Sequence, residues 1–536
     1  MCNKLLKIVK IKFTLIYQIV KFVHLNKKDT KMKKSFVSIC VASALASAVY
    51  ADGGANSDVM AQLEAMKAQI AALEAKLAAN SKEIEKVDKK VDKTTKNVSD
   101  VKILAANDNI KWDVDFRTAF DAIHYKHASG AKSSNPDLLT NRLWLGMGYA
   151  PDENNLFKGK LSYYKAYGDT ANHSQSNTQP GYANFDWVTN ENATDNTLKV
   201  KEAYWLYMND TLGSADVAWT LSIGRRPSTD GLGINTREGM KDNSPLAHTV
   251  NVEFDGMSAK FNLDKITGVE GMWWKLCTGR GLTNATPRFG GDYAVDSTID
   301  NKDINMYGFI FVPWDNGQYS VRTNWARAEN LIGFNQTETM NMMDVGPQGT
   351  ETFKNVGDMD LATIMLRAEG IGDGINDFLD NTVAFASWAQ SKTRPNGTSN
   401  GMLGTTESKT GHSTWIGIDM PLMLTEDGRW GIEWNKGSKY WRSMTYAEDT
   451  MAGSKIAARG TAWEIYYNQP LTKALHFNAR YTHIKYDYTG SNGFFGYDGT
   501  PMSWSEVAQY EAAGYMDASD PVKEASDLRL SVSYRF

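Results

Sequence analysis

LRLSVSYRF, residues 528–536, closes the chain. Apolar side chains fall at Leu528, Leu530, Val532, Tyr534 and Phe536, and polar ones at Arg529, Ser531, Ser533 and Arg535. Successive side chains of a strand point to opposite faces, so one face here is wholly apolar and the other holds two arginines. Chain ends are ordinarily polar and frayed. Two environments accept such a strand. One is the half-buried sheet of a soluble domain; the other is a membrane barrel, where one face meets lipid and the other a polar lumen.

The same alternation recurs upstream. Trp112, Val114 and Phe116 alternate with Asp113, Asp115 and Arg117. Leu143, Leu145, Met147 and Tyr149 alternate with Arg142, Trp144, Gly146 and Gly148. Val217, Trp219, Leu221 and Ile223 follow the rule, as do Trp430, Ile432 and Trp434 around Glu433, and Leu475, Phe477, Ala479 and Tyr481. Each run is about ten residues, the length that crosses an outer membrane at a tilt.

Short turn sequences separate these runs: PDENN (151–155), NDTLGSA (209–215), LDKITG (263–268), WDNGQ (314–318), GDGIND (372–377), TEDGR (425–429) and NQPLTKA (468–474). Longer, polar, Gly-rich segments alternate with them, as at 169–196, 330–360, 393–411 and 490–524. Seven turns and eight loops join about sixteen strands, the layout of an outer-membrane barrel over residues 110–536. A soluble sandwich would have loops of more even length and a second buried sheet. The expected fold is therefore an all-β transmembrane barrel of about sixteen antiparallel strands. Its even count puts both ends on the periplasmic side. Mean hydropathy is −0.44, which does not exclude a membrane, because a spanning strand shows only alternate residues to lipid.

Working toward the N-terminus, the period changes. Over residues 58–105 apolar positions repeat every seven. The a series is Leu63, Ile70, Leu77, Ile84, Val91, Val98 and Ala105, and the d series Val59, Met66, Leu73, Asn80, Val87, Thr94 and Val101. This predicts a periplasmic coiled coil whose seam needs partner chains, with Asn80 as a register selector. Mixed Leu, Ile and Val in the seam favour a homotrimer over a dimer. The alternative is one amphipathic helix packed on a domain.

Residues 32–51, MKKSFVSICVASALASAVYA, read as a signal peptide with a basic start, an apolar stretch and a small-x-small end at Val49-Tyr50-Ala51. Residues 1–31 hold a hydrophobic run broken by Lys7, Lys10, Lys12 and Lys21. Those lysines are costly at mid-bilayer, so the expectation is an over-extended reading frame starting truly at Met32. The whole chain carries −4 and residues 1–51 carry +9 (ten lysines, one aspartate), leaving −13 for the remainder. That acidity argues against nucleic acid as a partner. Of the cysteines, Cys2 and Cys40 lie in the leader, and Cys277 alone cannot form an internal disulfide.

No catalytic set stands out: the sequence holds no HExxH, P-loop or CxxC. No enzyme activity, metal or cofactor is expected. His124 and His127 form a close pair that reads better as surface than as a metal site. Asp292, Asp296, Asp300 and Asp303 crowd one loop. They read as a solvated acidic loop, or as a cation bridge to lipopolysaccharide.

The informative charges sit on polar strand faces or at strand ends: Arg142, Arg225, Arg226, Arg322, Arg367, Glu433, Glu464, Arg480 and Arg529. A charge facing lipid at mid-depth costs a few kcal/mol, so these should line the lumen or lie near the rims. There they either filter solutes by charge or pair to stiffen the wall, and the two roles are compatible. One loop, GRRPSTDGLGINTREGMKDNSPLAH (224–248), carries Arg225, Arg226 and Arg237 and is expected to fold inward as a constriction.

The leader, the adjoining heptads, the stretch SIGRRPSTDGLGINTREG and the closing SVSYRF together resemble a porin-like outer-membrane family of epsilon-class proteobacteria whose function is unestablished. The resemblance spans residues 32–536 and brings no functional residues. It implies an outer-membrane location with the coiled coil in the periplasm. The order of coiled coil and barrel is similar to that of porins on a helical stalk, by architecture alone. Expected partners are membrane lipid and lipopolysaccharide, further copies of the chain, the cell wall, and the barrel-assembly machinery. The last would read Leu528, Leu530, Val532, Tyr534 and Phe536. The leading function is a passive channel for small hydrophilic solutes and ions. The alternatives are a structural tether to the cell wall and a substrate-specific uptake channel.

Overall fold

The computed structural model describes residues 110–167, 198–240, 245–282, 303–334, 353–372, 374–397, 401–445, 448, 450–491, 493, 495–496, 499–513 and 520–536. The coiled-coil seam (Leu63, Ile70, Leu77, Asn80, Ile84, Val91, Val98), the signal peptide and the leading extension lie outside them.

The described residues form sixteen barrel strands: β1 (Lys111–His127), β2 (Lys132–Tyr149), β3 (Asn155–Ala166), β4 (Leu198–Asn209), β5 (Trp219–Arg225), β6 (Asp255–Asn262), β7 (Trp273–Leu282) and β8 (Ile304–Asp315) make one half. The other half is β9 (Tyr319–Phe334), β10 (Phe353–Glu369), β11 (Val383–Pro395), β12 (Thr410–Pro421), β13 (Arg429–Gly437), β14 (Gly460–Pro470), β15 (Leu475–Tyr486) and β16 (Val522–Arg535). Every strand pairs antiparallel with its sequence neighbours, and β16 returns to β1. The sheet is closed, which leaves no edge strand.

Closure runs through the stretch that opened the sequence reading. Leu530 lies opposite Phe120, Val532 opposite Thr118 and Tyr534 opposite Phe116. Phe536 continues the pairing: its carbonyl accepts from the Val114 amide at 3.0 Å and its own amide donates back at 3.1 Å. The chain ends on an aromatic residue because that residue is still part of the wall.

All seven expected turns join strands at one end of the barrel, between 150–154 and 471–474. WDNGQ shows why the turns are short. The Asn316 carboxamide oxygen accepts from the amides of Gln318 and Tyr319 at 3.0 and 2.7 Å, and Gly317 supplies the left-handed φ of 86°. The opposite end carries the long connections, with one exception. Residues 128–131 make a tight link, because β1 and β2 stay paired out to Lys126 and Lys132. The expectation of eight long loops is corrected to seven long and one short.

Side chains alternate as the period-2 pattern required. On β13 Ile432 and Trp434 are exposed while Glu433 and Asn435 are buried; on β16 Leu528, Leu530, Val532 and Tyr534 face out and Arg529 faces in. The exterior carries exposed aromatic and aliphatic residues on strands around the ring, from Phe116 and Trp205 to Trp388, Ile416 and Trp463. That surface suits a hydrocarbon environment and would aggregate in water.

Candidate functional site

The interior is built around the connection 226–254 between β5 and β6, whose described residues, 226–240 and 245–254, cross the barrel. Its root is held by Lys201 of β4, whose ammonium reaches Glu253 at 2.9 Å, Thr229 at 2.8 Å and Asp230 at 3.6 Å. The segment then turns at Gly233 (φ 104°), where an added Cβ would lie 2.2 Å from the Trp415 ring. Glycine is required there both for the conformation and for the close approach. A single helical turn, α1 (Ile234–Arg237), follows and carries the chain to the far wall.

At the far wall the Arg237 carbonyl accepts from Asn468 at 3.0 Å and Asn478 at 3.2 Å. Its guanidinium reaches Glu448 at 3.0 Å and Glu464 at 3.5 Å. The neighbouring Glu238 carboxylate accepts from Arg480 at 3.0 Å and lies 4.0 Å from Arg117. On the return leg the Thr249 hydroxyl meets Thr363 at 2.7 Å and accepts from Asn324 at 3.1 Å, and His248 Nδ1 meets Ser387 at 2.8 Å. Burial holds His248 far below its ordinary pKa, at about 3, so the ring is neutral. The expected inward segment was 224–248; the connection that leaves the wall is 226–254.

Glu238 faces two rows of arginine. Arg117 on β1 lies directly opposite Arg142 on β2, and Arg480 on β15 directly opposite Arg529 on β16. Like charges placed opposite each other destabilise a sheet unless countered. Here Asp121 accepts from Arg529 at 2.5 Å, Asp115 lies 3.5 Å from Arg142, and Glu238 serves Arg117 and Arg480. Arg142 also lies 3.6 Å over the Trp144 ring.

The remaining expected residues are less uniform. Arg226 turns in and lines a small pocket with Cys277 and Asn324, whereas Arg225 ends β5 in an ion pair with Asp255 at 3.9 Å. Arg322 and Arg367 pair with Asp315 at 3.2 Å and Glu369 at 2.6 Å toward the short-turn end. Arg367 lines a cavity of about 500 Å³ there, whose inner side is the tip of the crossing segment, Asn235 to Met240. Glu433 and Glu464 point inward but are occupied by cations of two connections, Lys455 and Arg237. Among the described residues of the acidic loop, Asp303 is an ion-pair partner of Arg280. His124 is exposed, and His127 bonds Ser133 and the Asp520 carbonyl. No group of three metal-ligating side chains occurs among the described residues.

Sequence reading missed Arg117, Asp121, Glu238, Glu448 and Lys455. Arg117 already stood in the quoted alternation of β1 without being singled out, and Asp121 lies on the continuation of the same polar face. Glu448 and Lys455 were not accessible, because the described residues of a second connection, 438–459, also fold inward and no period marks them. Trp441, Arg442, Met444, Lys455, Ile456 and Arg459 in it are all buried.

No curated protein matches the chain. Among solved structures it is similar to OprB of Pseudomonas putida, at 12% identity with a TM-score of 0.43, covering 81% of this chain and 96% of that one. It is similar to OmpF of Salmonella typhi at 11% identity and 0.41, covering 80% and 99%. It is also similar to OmpT, an outer membrane protein of Vibrio cholerae, at 8% and 0.39, covering 80% and 97%. Residues 132–536 match the family described as protein of unknown function (DUF3373), and the chain belongs to that family.

Proposed function

We propose that this protein is an outer-membrane channel for small hydrophilic solutes and ions, with the connection 226–254 as its constriction. The carrying observation is the placement of Glu238 against Arg117 and Arg480 inside a closed barrel whose exterior is apolar. Fixed charges of both signs around a passage set up a field that sorts solutes by charge. The exterior supports insertion in a bilayer, and the terminal strand with Leu528, Leu530, Val532, Tyr534 and Phe536 outward suits recognition by the barrel-assembly machinery. Homotrimer formation through the seam at 58–105 and contact with lipopolysaccharide are part of the same reading.

A second reading is a structural tether, a barrel closed inside and fixed to the cell wall by the coiled coil. The observation favouring it is burial: Arg117, Arg142, Arg480, Arg529, Glu433 and Glu464 are each no more than 2% exposed. A substrate-specific uptake channel lies between the two and would use the cavity of about 500 Å³ as its vestibule. Reconstitution into planar bilayers separates them. The channel reading expects discrete conductance steps and a reversal potential that moves in a salt gradient. Folded barrel that inserts without conductance overturns it in favour of the tether, and saturable block by one solute favours specific uptake.

A further inference from the structure

On the wall, Glu433 of β13 lies directly opposite Glu464 of β14. Two carboxylates in register repel each other, and both are buried. The wall supplies part of their company: Thr482 donates to Glu464 at 2.6 Å, Arg480 lies 3.8 Å from it, and Trp415 donates to Glu433 at 2.8 Å. The pair also forms a socket for cations arriving from elsewhere, and two arrive. Lys455, from the connection 438–459, bonds Glu464 and lies 2.7 Å from Glu433. Arg237, from the connection 226–254, reaches Glu464 at 3.5 Å and also Glu448 of the second connection at 3.0 Å.

The two connections are joined directly as well. Val250 and Met444 form a parallel bridge, with the Asn251 amide donating to the Met444 carbonyl at 2.7 Å and the Met444 amide to the Thr249 carbonyl at 2.9 Å. Both residues sit in one apolar cluster.

We propose that the described residues of the two connections (226–240 with 245–254, and 438–445 with 448 and 450–459) act as a single constriction body, and that Lys455 is the positioning residue that pins the second into the Glu433–Glu464 socket. This rests on the channel reading and sharpens it: the narrow part is built by two connections, and its width is set by a buried ammonium that touches no solute. Without Lys455 the socket keeps Arg237 and the first segment stays; the second keeps the Val250–Met444 bridge and the Arg237–Glu448 pair but loses its anchor on β13 and β14, and opens more readily.

The test uses the full-length protein in a Cys277→Ser background. Lys455→Met is purified as a folded, heat-modifiable barrel, reconstituted, and treated with externally added trypsin. The expected result is single-channel conductance raised about twofold or more, since a wider passage conducts more, together with cleavage after Arg442 that the parent resists. Lys455→Arg should restore both. The pair Val250→Cys/Met444→Cys, placed in the Lys455→Met chain, should restore parental conductance when oxidised and lose it on reduction. Adjacent paired segments lie about 4.8 Å apart, within disulfide reach. Should Lys455→Met fail to fold, Lys455→Met/Glu433→Gln removes a cation and a carboxylate together, and the same outcomes are expected. A folded variant with parental conductance and intact Arg442 overturns the proposal and leaves the channel reading standing. If no protein conducts, including the parent, the channel reading falls. Trypsin still decides the latch: cleavage after Arg442 only in the variant supports it, and equal resistance overturns it.

Discussion

The two halves of the barrel wall differ in what they turn inward. Strands β8 to β12 present Ile304, Met306, Met359, Leu361, Phe385 and Trp415, which pack with Leu232, Ile234, Val250, Met444 and Ile456 from the crossing segments. Strands β15, β16, β1 and β2 present Arg480, Arg529, Arg117 and Arg142 with their carboxylates. One half is a hydrophobic core that happens to lie inside a barrel. The other is a layer of buried ion pairs, covered by Glu238 of the crossing segment. An inward-facing position is therefore not a polar position by rule; its chemistry depends on what lies against it. On the channel reading, the apolar half carries mainly stability and the charged half selectivity.

The largest expected effect tests the apolar half. Trp415 is fully buried, packs edge-on to Phe385 at 4.8 Å between ring centroids and donates to Glu433 at 2.8 Å. Trp415→Ala should cost about 3–5 kcal/mol in denaturant unfolding from detergent or vesicles. The charged half offers the counterpart. Arg529→Met leaves Asp121 buried beside its lost partner, and breaking such a pair typically costs about 3–5 kcal/mol. The two variants should part in the bilayer: Arg529→Met shifts the reversal potential toward cations, while Trp415→Ala leaves its sign unchanged. Equal shifts in both would erase the division.

Acid probes the apolar half, where His248 sits against Trp415 and Trp441 with ring centroids 5.6 Å away in each case. The unfolded imidazole gains its proton near pH 6.5, whereas burial delays the folded one to about 3. Protons thus favour the unfolded side. The stability due to the neutral ring is whole above pH 6.5 and is lost as the pH falls toward 3. His248→Phe keeps the ring contacts and removes the proton site. Its unfolding midpoint should fall less than the parent's between pH 7 and 4, and an identical fall would show that His248 is not the acid-sensitive group.

The arginines flagged together at 225 and 226 should separate. Arg226→Glu places an acid where a cation is 7% exposed inside the barrel, and the reversal potential should move toward cations. Arg225, 13% exposed at its side chain, ends β5 opposite Asp255, so Arg225→Glu sets two carboxylates in register and should act first on the unfolding midpoint, moving the reversal potential less than Arg226→Glu does.

Legibility followed the same division. The strands were readable because a closed barrel imposes a period of two, and LRLSVSYRF showed both its faces; its register against β1 and β15 came only with the structure. All seven short turns were readable from Asn, Asp, Gly and Pro at fixed places. The crossing of 226–254 was half-readable: glycines and arginines after a strand suggested an inward path, but Glu238 gave no signal of its own. The partnership of 438–459 was not readable, because Lys455 acquires its meaning only from Glu433 and Glu464 in other parts of the chain. On β10 the pattern itself misleads. MDL at 359–361 puts Met359 and Leu361 inward and Asp360 outward, the reverse of a lipid-facing alternation, because the inward pair packs against crossing segments rather than solute.

Asp360 supplies the smallest prediction and the sharpest check on that reversal. It stands between two outward arginines on adjacent strands, accepting from Arg327 at 2.8 and 3.2 Å and from Arg394 at 2.6 Å. The outward face of β10 is apolar at Ile364 and Leu366 and becomes charged at Asp360, so the trio lies beyond the apolar belt, where water reaches it. Arg394 is 46% exposed at its side chain, and Asp360 keeps the bidentate Arg327 when it is removed. Arg394→Gln should therefore cost no more than about 1 kcal/mol, and less in high salt. Conductance and reversal potential should not change, because no part of the trio faces the lumen. A shift in selectivity would place Arg394 on the inner side. The register of β9, β10 and β11 would then be wrong by one residue, and with it the apolar core that distinguishes this half of the barrel from the other.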